Sequence, residues 1–359
     1  MSRFILKRLF YGFLVIFGVV TIIFFLFNIL PGDPARMMLG QRADISSIEA
    51  INKDLGRDKP VGIQYMNYMN DLSPLSVHNI NNPADYWYLD TSKYSAIRLF
   101  KISSNNSLVL KLPYLRRSYQ SKRPVNDILL EAFPNTAILA FAAIGFAMVV
   151  GIFIGILCAV KKNSLFDKFS LVFSSMGMSL PSFFAAILAA WIFAYLLGKV
   201  TGLNMFGSLY SVDDFGNGEY LSLKNLILPA ITLGIRPLTV VVELTRNSLL
   251  EVLSQDYIRT AKAKGLSYYK IISRHALRNA MNPVVTAISG WLASLLAGAV
   301  FIEYIFDWKG IGVVIVDALE KYDFPVLMGA VLFVSLILVF INIIVDILYG
   351  YLDPRIRVQ

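Results

Sequence analysis

Residues 255–283 read QDYIRTAKAKGLSYYKIISRHALRNAMNP. Two short helices broken at Gly265 fit this text. Glycine supplies the positive-φ residue that ends the first, and Ser267 stands where it can N-cap the second. In the second helix Tyr268, Ile271, Ile272 and His275 share one face by three-to-four spacing, while Lys270, Arg274 and Arg278 fall on another, four residues apart. A helix that is basic on one side and apolar on the other can rest on lipid headgroups or insert into a groove on a partner. The residues alone leave both open.

The flanks of this stretch are apolar. A helix needs about 20 mostly apolar residues to cross a hydrocarbon core. Six stretches qualify: Leu9–Leu30, Thr136–Val160, Ser170–Leu197 (interrupted at Pro181), Leu226–Leu244, Val284–Phe306 and Val326–Tyr349. The composition agrees. Of 359 residues 56% are hydrophobic and 16% charged, with a mean hydropathy of +0.61. Soluble domains are about 45–50% apolar and roughly 25% charged, so a soluble enzyme, a disordered chain and a secreted disulfide scaffold are excluded. The lone Cys158 and two histidines, His78 and His275, leave little for a disulfide or a His-rich metal site. Leu9–Leu30 is longer than a signal-peptide core and has no small-x-small cleavage site after it, so it reads as a retained anchor.

The net charge of +9 is first a topology signal. Fifteen lysines and arginines lie before the first span, between spans two and three, between spans four and five, and after span six; only Lys199, Lys224, Lys309 and Lys321 lie in the opposite short loops. Both termini are therefore expected in the cytoplasm. Residues 31–134 then form a long extracytoplasmic loop. Asp44–Gly56 has helix-like spacing, Pro83–Tyr94 is aromatic-rich, and Ser107–Leu115 alternates like a strand, which predicts a small α+β cap.

Arg259-Thr260-Ala261-Lys262-Ala263-Lys264-Gly265-Leu266, followed by Arg274-His275-Ala276-Leu277-Arg278-Asn279-Ala280 and Pro283, resembles the cytoplasmic coupling loop of ABC-importer permeases. More narrowly it resembles the branch importing dipeptides, oligopeptides and nickel, whose variant replaces the broad Glu-Ala-Ala-x3-Gly signature. The likeness extends through Leu30-Pro31-Gly32-Asp33-Pro34, Arg123-Pro124-Val125, Pro134-Asn135-Thr136 and Asp256-Tyr257. It continues in Glu303-x-x-Phe306-x-Trp308 with Gly310 and Gly312, and in Asp353-Pro354-Arg355. It covers nearly the whole chain in order, and the opening motif is similar to that of the first of the family's two paired permeases. Departures are Lys309 where the family usually has proline, Glu243 where arginine is common, a run of about 40 residues (His78–Pro113) inserted in the first loop, and the loss of the Gly-Asp-Leu-Gly before Ser118.

The resemblance implies an all-α polytopic membrane protein with six transmembrane helices, the type I ABC-importer permease fold, and a small extracytoplasmic α+β insertion. Its domains would be an N-terminal helix (1–30), a cap (31–134) and a core permease (135–359) with the coupling loop at 246–283. It implies a non-enzymatic subunit of the bacterial inner membrane that forms half of a peptide pathway, with nickel or a metal chelate as the alternative cargo. The implied partners are a second homologous permease, two cytoplasmic ATP-binding subunits, an extracytoplasmic peptide-binding protein and membrane lipid, with no nucleic acid. The coupling residues it implies are Asp256, Arg259, Ala261, Ala263, Lys264, Gly265, Leu266, His275, Arg278 and Pro283. No Gly-x4-Gly-Lys-Ser/Thr cradle occurs in the chain, so this chain carries no cofactor and ATP with Mg²⁺ would be bound by the partner ATPases.

Other residues carry weaker signals. Gly151-x3-Gly155 permits close helix approach. Arg236 and Glu243 lie in a span where a charge costs at least about 2.5–3.5 kcal/mol, and they point either to pairing with a partner permease or to contact with a peptide terminus. Glu303 and Asp346 sit near span ends, as caps or helix bridges. Asp213-Asp214 and Glu219 read as a solvated outside loop. A stand-alone secondary transporter would require inverted repeats and midplane carboxylates; the sequence shows no such repeat and few buried carboxylates, and neither histidine lies in a span to serve an intramembrane hydrolase.

Overall fold

The computed structural model of the chain describes residues 2–29, 48–49, 52, 58–82, 85, 87–91, 93–212 and 218–352. The expectations for Asp44–Gly56, apart from positions 48, 49 and 52, and those for Asp213-Asp214 and Asp353-Pro354-Arg355 lie outside these residues. The helices are α1 (Ser2–Ile29), α2 (Val61–Leu72), α3 (Val125–Val160), α4 (Leu165–Ser179), α5 (Ser182–Ala189, continued by a wide turn over Ala190–Leu196) and α6 (Lys224–Leu253). They are followed by α7 (Asp256–Ala263), α8 (Tyr268–Lys270), α9 (Leu277–Ala280), α10 (Asn282–Gly298), α11 (Val300–Phe306), α12 (Ile311–Glu320) and α13 (Phe324–Leu352).

Among the described residues α1, α3, α6 and α13 are each long and apolar enough to cross a membrane, and two bent pairs bring the number to six when each pair is counted as one span. One pair, α4 with α5, bends by 110° at the Leu180-Pro181 break, as Pro181 predicted; the other, α10 with α11, bends by 59° at Ala299, a break that no proline marks. The α3 helix starts eleven residues before its expected apolar boundary because its first turns, with Asn126, Asp127 and Glu131, are polar and still helical. Its 36 residues extend about 54 Å, well beyond a hydrocarbon core.

One compact unit holds residues 132–313 with the outer ends of α1 and α13. Its centre is α6. Some 61% of the most apolar window of α6 is buried, against 22–33% for the other three long spans. That explains why α6 is the least hydrophobic of them: protein rather than lipid surrounds it. The α3 and α6 helices touch through small residues. A Cβ on Gly151 would lie 2.8 Å from Val241 Cγ1, and one on Gly155 would lie 2.6 Å from Thr245 Cβ and 2.8 Å from the Val242 carbonyl oxygen. Four residues further along each helix, Ala159 and Leu249 join one buried cluster. The expectation for Gly151-x3-Gly155 is thus met, and the matched four-residue steps set the two helices parallel. At the termini of the chain, Arg8 Nη1 and Asp346 Oδ2 pair at 3.1 Å, so Asp346 bridges helices as expected.

The second unit holds residues 13–131 and 314–335. It contains a three-stranded antiparallel sheet of β1 (Leu75–Asn79), β2 (Ala96–Lys101) and β3 (Asn106–Lys111) in the order β1-β3-β2. The predicted Ser107–Leu115 strand is therefore shorter, ending before Pro113, and it has two partners that sequence alternation did not reveal. The reason is an inverted pattern. Ser76, His78, Ser107 and Lys111 are buried, whereas Leu75, Ile97, Phe100, Leu110 and Leu112 are exposed. The inward polar groups are paired. His78 meets the Trp87 carbonyl and Ser76 Oγ, Tyr94 donates to Asp71 Oδ1 at 2.7 Å, Trp87 donates to Asn67 Oδ1 at 2.8 Å, and Lys111 Nζ donates to the Asp71 carbonyl at 3.0 Å. Burial pushes the Lys111 ammonium down to about 8, and the nearby Asp71 carboxylate offsets only part of this.

Two outcomes follow from this packing. Gly155→Ala forces α3 away from the α6 backbone and should destabilise the detergent-solubilised chain by about 1–3 kcal/mol, read as a lower thermal midpoint. Gly145→Ala, which meets open space, should leave that midpoint unchanged. Because the folded Lys111 binds its proton less tightly than in the unfolded chain, the cap should gain stability as pH rises from about 8 towards 10. Hydrogen exchange of the β3 amides, corrected for intrinsic rates, should show slower opening over that range, and Lys111→Met should remove the dependence.

Candidate functional site

The α6 helix leads directly into the stretch that opened the sequence reading. In α7, Asp256 lies in the first turn; Arg259 donates to its carboxylate at 3.2 Å and Thr260 to its carbonyl at 3.1 Å. The helix ends in a Schellman arrangement. The Gly265 N–H donates to the Lys262 carbonyl at 2.9 Å and the Leu266 N–H to the Ala261 carbonyl at 3.4 Å. Gly265 has φ +76°, so any side chain there is strained even though the space beside it is open. Leu266 then folds back on the cluster that holds Ala261.

The next segment departs from the expectation. Ser267 occupies the cap position with extended backbone, but its hydroxyl makes no capping bond. Between α8 and α9 the chain takes one wide turn, Ile271–Ala276, with the five-residue spacing of a π-helix. That turn shifts the phase of everything after it. The buried positions are Ile271, Ala276 and Ala280, whereas Tyr268 and His275, expected on the same apolar face as Ile271, are exposed. Pro283 falls in the first turn of α10, where its missing N–H costs nothing.

The result is a small-residue floor under a charged surface. Ala159, Leu249, Ile258, Ala261, Ile271, Ala276 and Ala280 form the buried floor at the ends of α3 and α6. Asp256, Arg259, Ala263, Lys264, His275 and Arg278 are exposed, together with Lys262, Lys270 and Arg274. Tyr269, at 79% exposure, stands further out than Tyr257 or Tyr268. The Asn279 amide donates to Tyr257 Oη at 2.9 Å and ties the two short helices together. Such a surface, basic with three tyrosines and fixed to two spans, can seat an acidic groove of another protein.

Sequence reasoning missed a second tie. Arg246 Nε and Nη2 donate to the two Asp167 oxygens at 2.6 and 2.7 Å, joining α4 to α6 just before the loop. Asp167 also accepts from the Asn163 N–H, while Ser164 Oγ accepts from the Asp167 N–H. The signal was present as Ser164-x-x-Asp167, a capping-box pattern. Arg236 and Glu243, by contrast, are exposed on α6 and form no ion pair among the described residues.

A buried latch brings two separate motifs together. Glu303 Oε2, wholly buried, accepts from the Gly312 N–H at 2.6 Å, and the Thr136 hydroxyl accepts from the Ile311 N–H at 2.9 Å. Trp308 Nε1 donates to the Asn135 carbonyl at 2.9 Å, and Asn135 Nδ2 donates to the Lys309 carbonyl at 2.8 Å. Glu303 thus caps the start of α12, as its position near a span end implied. A Cβ on Gly310 or Gly312 would strike its carboxylate. Lys309, the departure from the family's proline, uses its N–H toward Ser208 Oγ at 3.4 Å, a bond proline could not make.

Comparison with known proteins agrees with this architecture. Residues 151–358 match the family model "Binding-protein-dependent transport system inner membrane component", and residues 1–82 match "Binding-prot-dependent transport system membrane comp, N-term". The dipeptide transport system permease protein DppB of Alkalihalophilus pseudofirmus is 33% identical, with 99% of this chain and 100% of the relative covered. The di/tripeptide transport system permease protein DppB of Pseudomonas aeruginosa is 35% identical with 100% of both covered, and DppB of Escherichia coli is 34% identical with 99% of both covered. A chain of the MetNI methionine ABC transporter, solved in inward-facing conformations, aligns with a TM-score of 0.50 at 16% identity, covering 63% of this chain and 96% of that one. This multi-pass chain has the type I ABC-importer permease fold and belongs to the family of binding-protein-dependent transport system inner membrane components.

Proposed function

We propose that the chain is the first of two paired permeases of an ATP-driven peptide importer in the bacterial inner membrane. It forms half of the pathway for di- or oligopeptides and hydrolyses nothing itself. The observation that carries this reading is the surface over residues 255–283: basic, tyrosine-bearing and seated on the rigid ends of α3 and α6. The full-length relatives named for dipeptides support peptide cargo over nickel.

In this reading both termini and the 246–283 loop face the cytoplasm, following the excess of lysine and arginine on that side. Two ATP-binding subunits hold the ATP and Mg²⁺, and one of them takes the loop. Arg259, Lys264, His275 and Arg278 present charge to it, Asp256 holds Arg259, and Ala263 leaves room for close approach. Ala261, Gly265, Leu266 and Pro283 keep the shape of the loop. ATPase closure then moves the loop, and with it α3 and α6, as one body. An extracytoplasmic binding protein delivers peptide to the opposite side, the side of the 31–134 segment, which lies in the sequence between the 1–30 helix and the 135–359 core. Arg236 and Glu243, exposed on α6, face the second permease or the pathway between the two chains, where their charge is solvated.

The test uses the whole complex in lipid nanodiscs. Arg278→Glu, exposed and without an ion pair among the described residues, should leave assembly intact. It should abolish most of the ATPase stimulation by peptide-loaded binding protein. Gly265→Pro should do the same by disrupting the turn. Unchanged stimulation in both variants would contradict the role given to the loop.

A further inference from the structure

The α2 helix is amphipathic in the wrong sense for a helix facing water. Its exposed positions are Val61, Gly62, Ile63 and Met66, none of them polar, with Met66 58% exposed. Its buried positions are Asn67, Tyr68, Asp71 and Leu72, and so its one charged residue points inward. Those inward groups are satisfied: Asn67 by the Trp87 indole, and Asp71 by the Tyr94 hydroxyl, with Arg116 Nε 4.0 Å away.

The position of α2 along α1 adds a depth. Tyr65 Oη lies 2.8 Å from Thr21 Oγ1, and its ring stacks on Phe25 (centroids 5.7 Å apart) and meets Phe24 edge-on at 5.2 Å. The apolar run of α1 continues to Ile29, where the helix ends. Phe25 and Phe24, against which the Tyr65 ring rests, are four and five residues earlier, about 6–8 Å inside that end at the rise of an α-helix. An interfacial helix buries its apolar face about 5–10 Å into the boundary between headgroups and acyl chains, which is the depth of that ring. A tyrosine at that level matches the aromatic belt of membrane proteins.

We propose that α2 lies in the bilayer surface, with Val61, Ile63 and Met66 among the lipid chains of the leaflet in which α1 ends. The occupant is lipid rather than protein for two reasons. The α2 helix packs on α1, an apolar candidate membrane span whose Phe13, Phe17, Ile22 and Leu26 are exposed. The exposed face of α2 also lacks the tyrosine, tryptophan or arginine anchors on which protein interfaces rely. With α2 so anchored, the cap is held at a fixed height on the membrane. The topology under "Proposed function" makes this the outer leaflet, but the lipid contact stands without that reading.

The test places single cysteines at Ile63 and Met66, with Ser104 in the β2–β3 turn as reference, in a Cys158→Ser background. The whole complex is spin-labelled in nanodiscs of phosphatidylethanolamine and phosphatidylglycerol. Labels at 63 and 66 should collide severalfold more with oxygen than with a water-soluble nickel chelate, and the label at 104 should do the reverse. Lipids carrying a photoreactive acyl chain should also mark the 61–72 peptide of the unsubstituted chain, which removes any dependence on the cysteine variants. If positions 63 and 66 behave like 104 and the peptide is unmarked, the proposal is wrong. It is equally wrong if shielding there arises only when the extracytoplasmic binding protein is added, since the occupant would then be protein.

Discussion

The constraint on which the core unit depends is the close approach of α3 to α6 at Gly151 and Gly155. In a bilayer no hydrophobic effect draws two helices together, so association depends on contact area, and contact area on how near the backbones come. The side chains of Val241 and Thr245 occupy the space that a Cβ on either glycine would need. One turn further on, Ala159 and Leu249 become the floor of the loop that follows α6. Position and tilt of the loop are therefore set inside the bundle. The Asp167–Arg246 fork adds α4 to the same rigid end.

Two ends of the core unit are built by different chemistry. At the loop end, alanines bring short helices onto the spans and leave charges and tyrosines outside. At the other end a buried carboxylate, a tryptophan N–H and an asparagine amide tie the start of α12 to α3. Irregular backbone at that depth is stable only when its polar groups are met from within the protein, and Glu303, Thr136 and Asn135 meet those of Trp308–Gly312. The α3 helix, which carries part of the loop floor, is thus latched at Asn135 and Thr136 to the start of α12.

Much of this was legible in the sequence, and the failures have physical causes. The six spans could be read because length and apolarity are forced by the bilayer, and the 110° break at Pro181 because proline cannot continue the ladder. Gly265 could be read because only glycine enters that φ cheaply. The faces of residues 268–280 could not. A period of 3.6 predicts His275 beside Ile271, and one five-residue turn between Ile271 and Ala276 removes it; Tyr268 precedes that turn and is exposed in the first turn of the segment. The cap sheet was obscure for a related reason. Its polar residues His78, Ser107 and Lys111 face inward and its leucines outward, so alternation pointed to the wrong surface. The latch motifs were each visible, but their meeting joins residues more than 160 positions apart, which no local pattern records.

Tyr269 is the most exposed tyrosine of the loop surface and the most direct probe of what that surface touches. A photoreactive phenylalanine analogue at Tyr269, irradiated in intact membranes, should cross-link covalently to a nucleotide-binding ATPase subunit. The same analogue at Phe340, exposed on the apolar α13, should capture no ATPase subunit. Cross-linking at Tyr269 to lipid alone, with no ATPase recovered, would contradict the assignment of this surface.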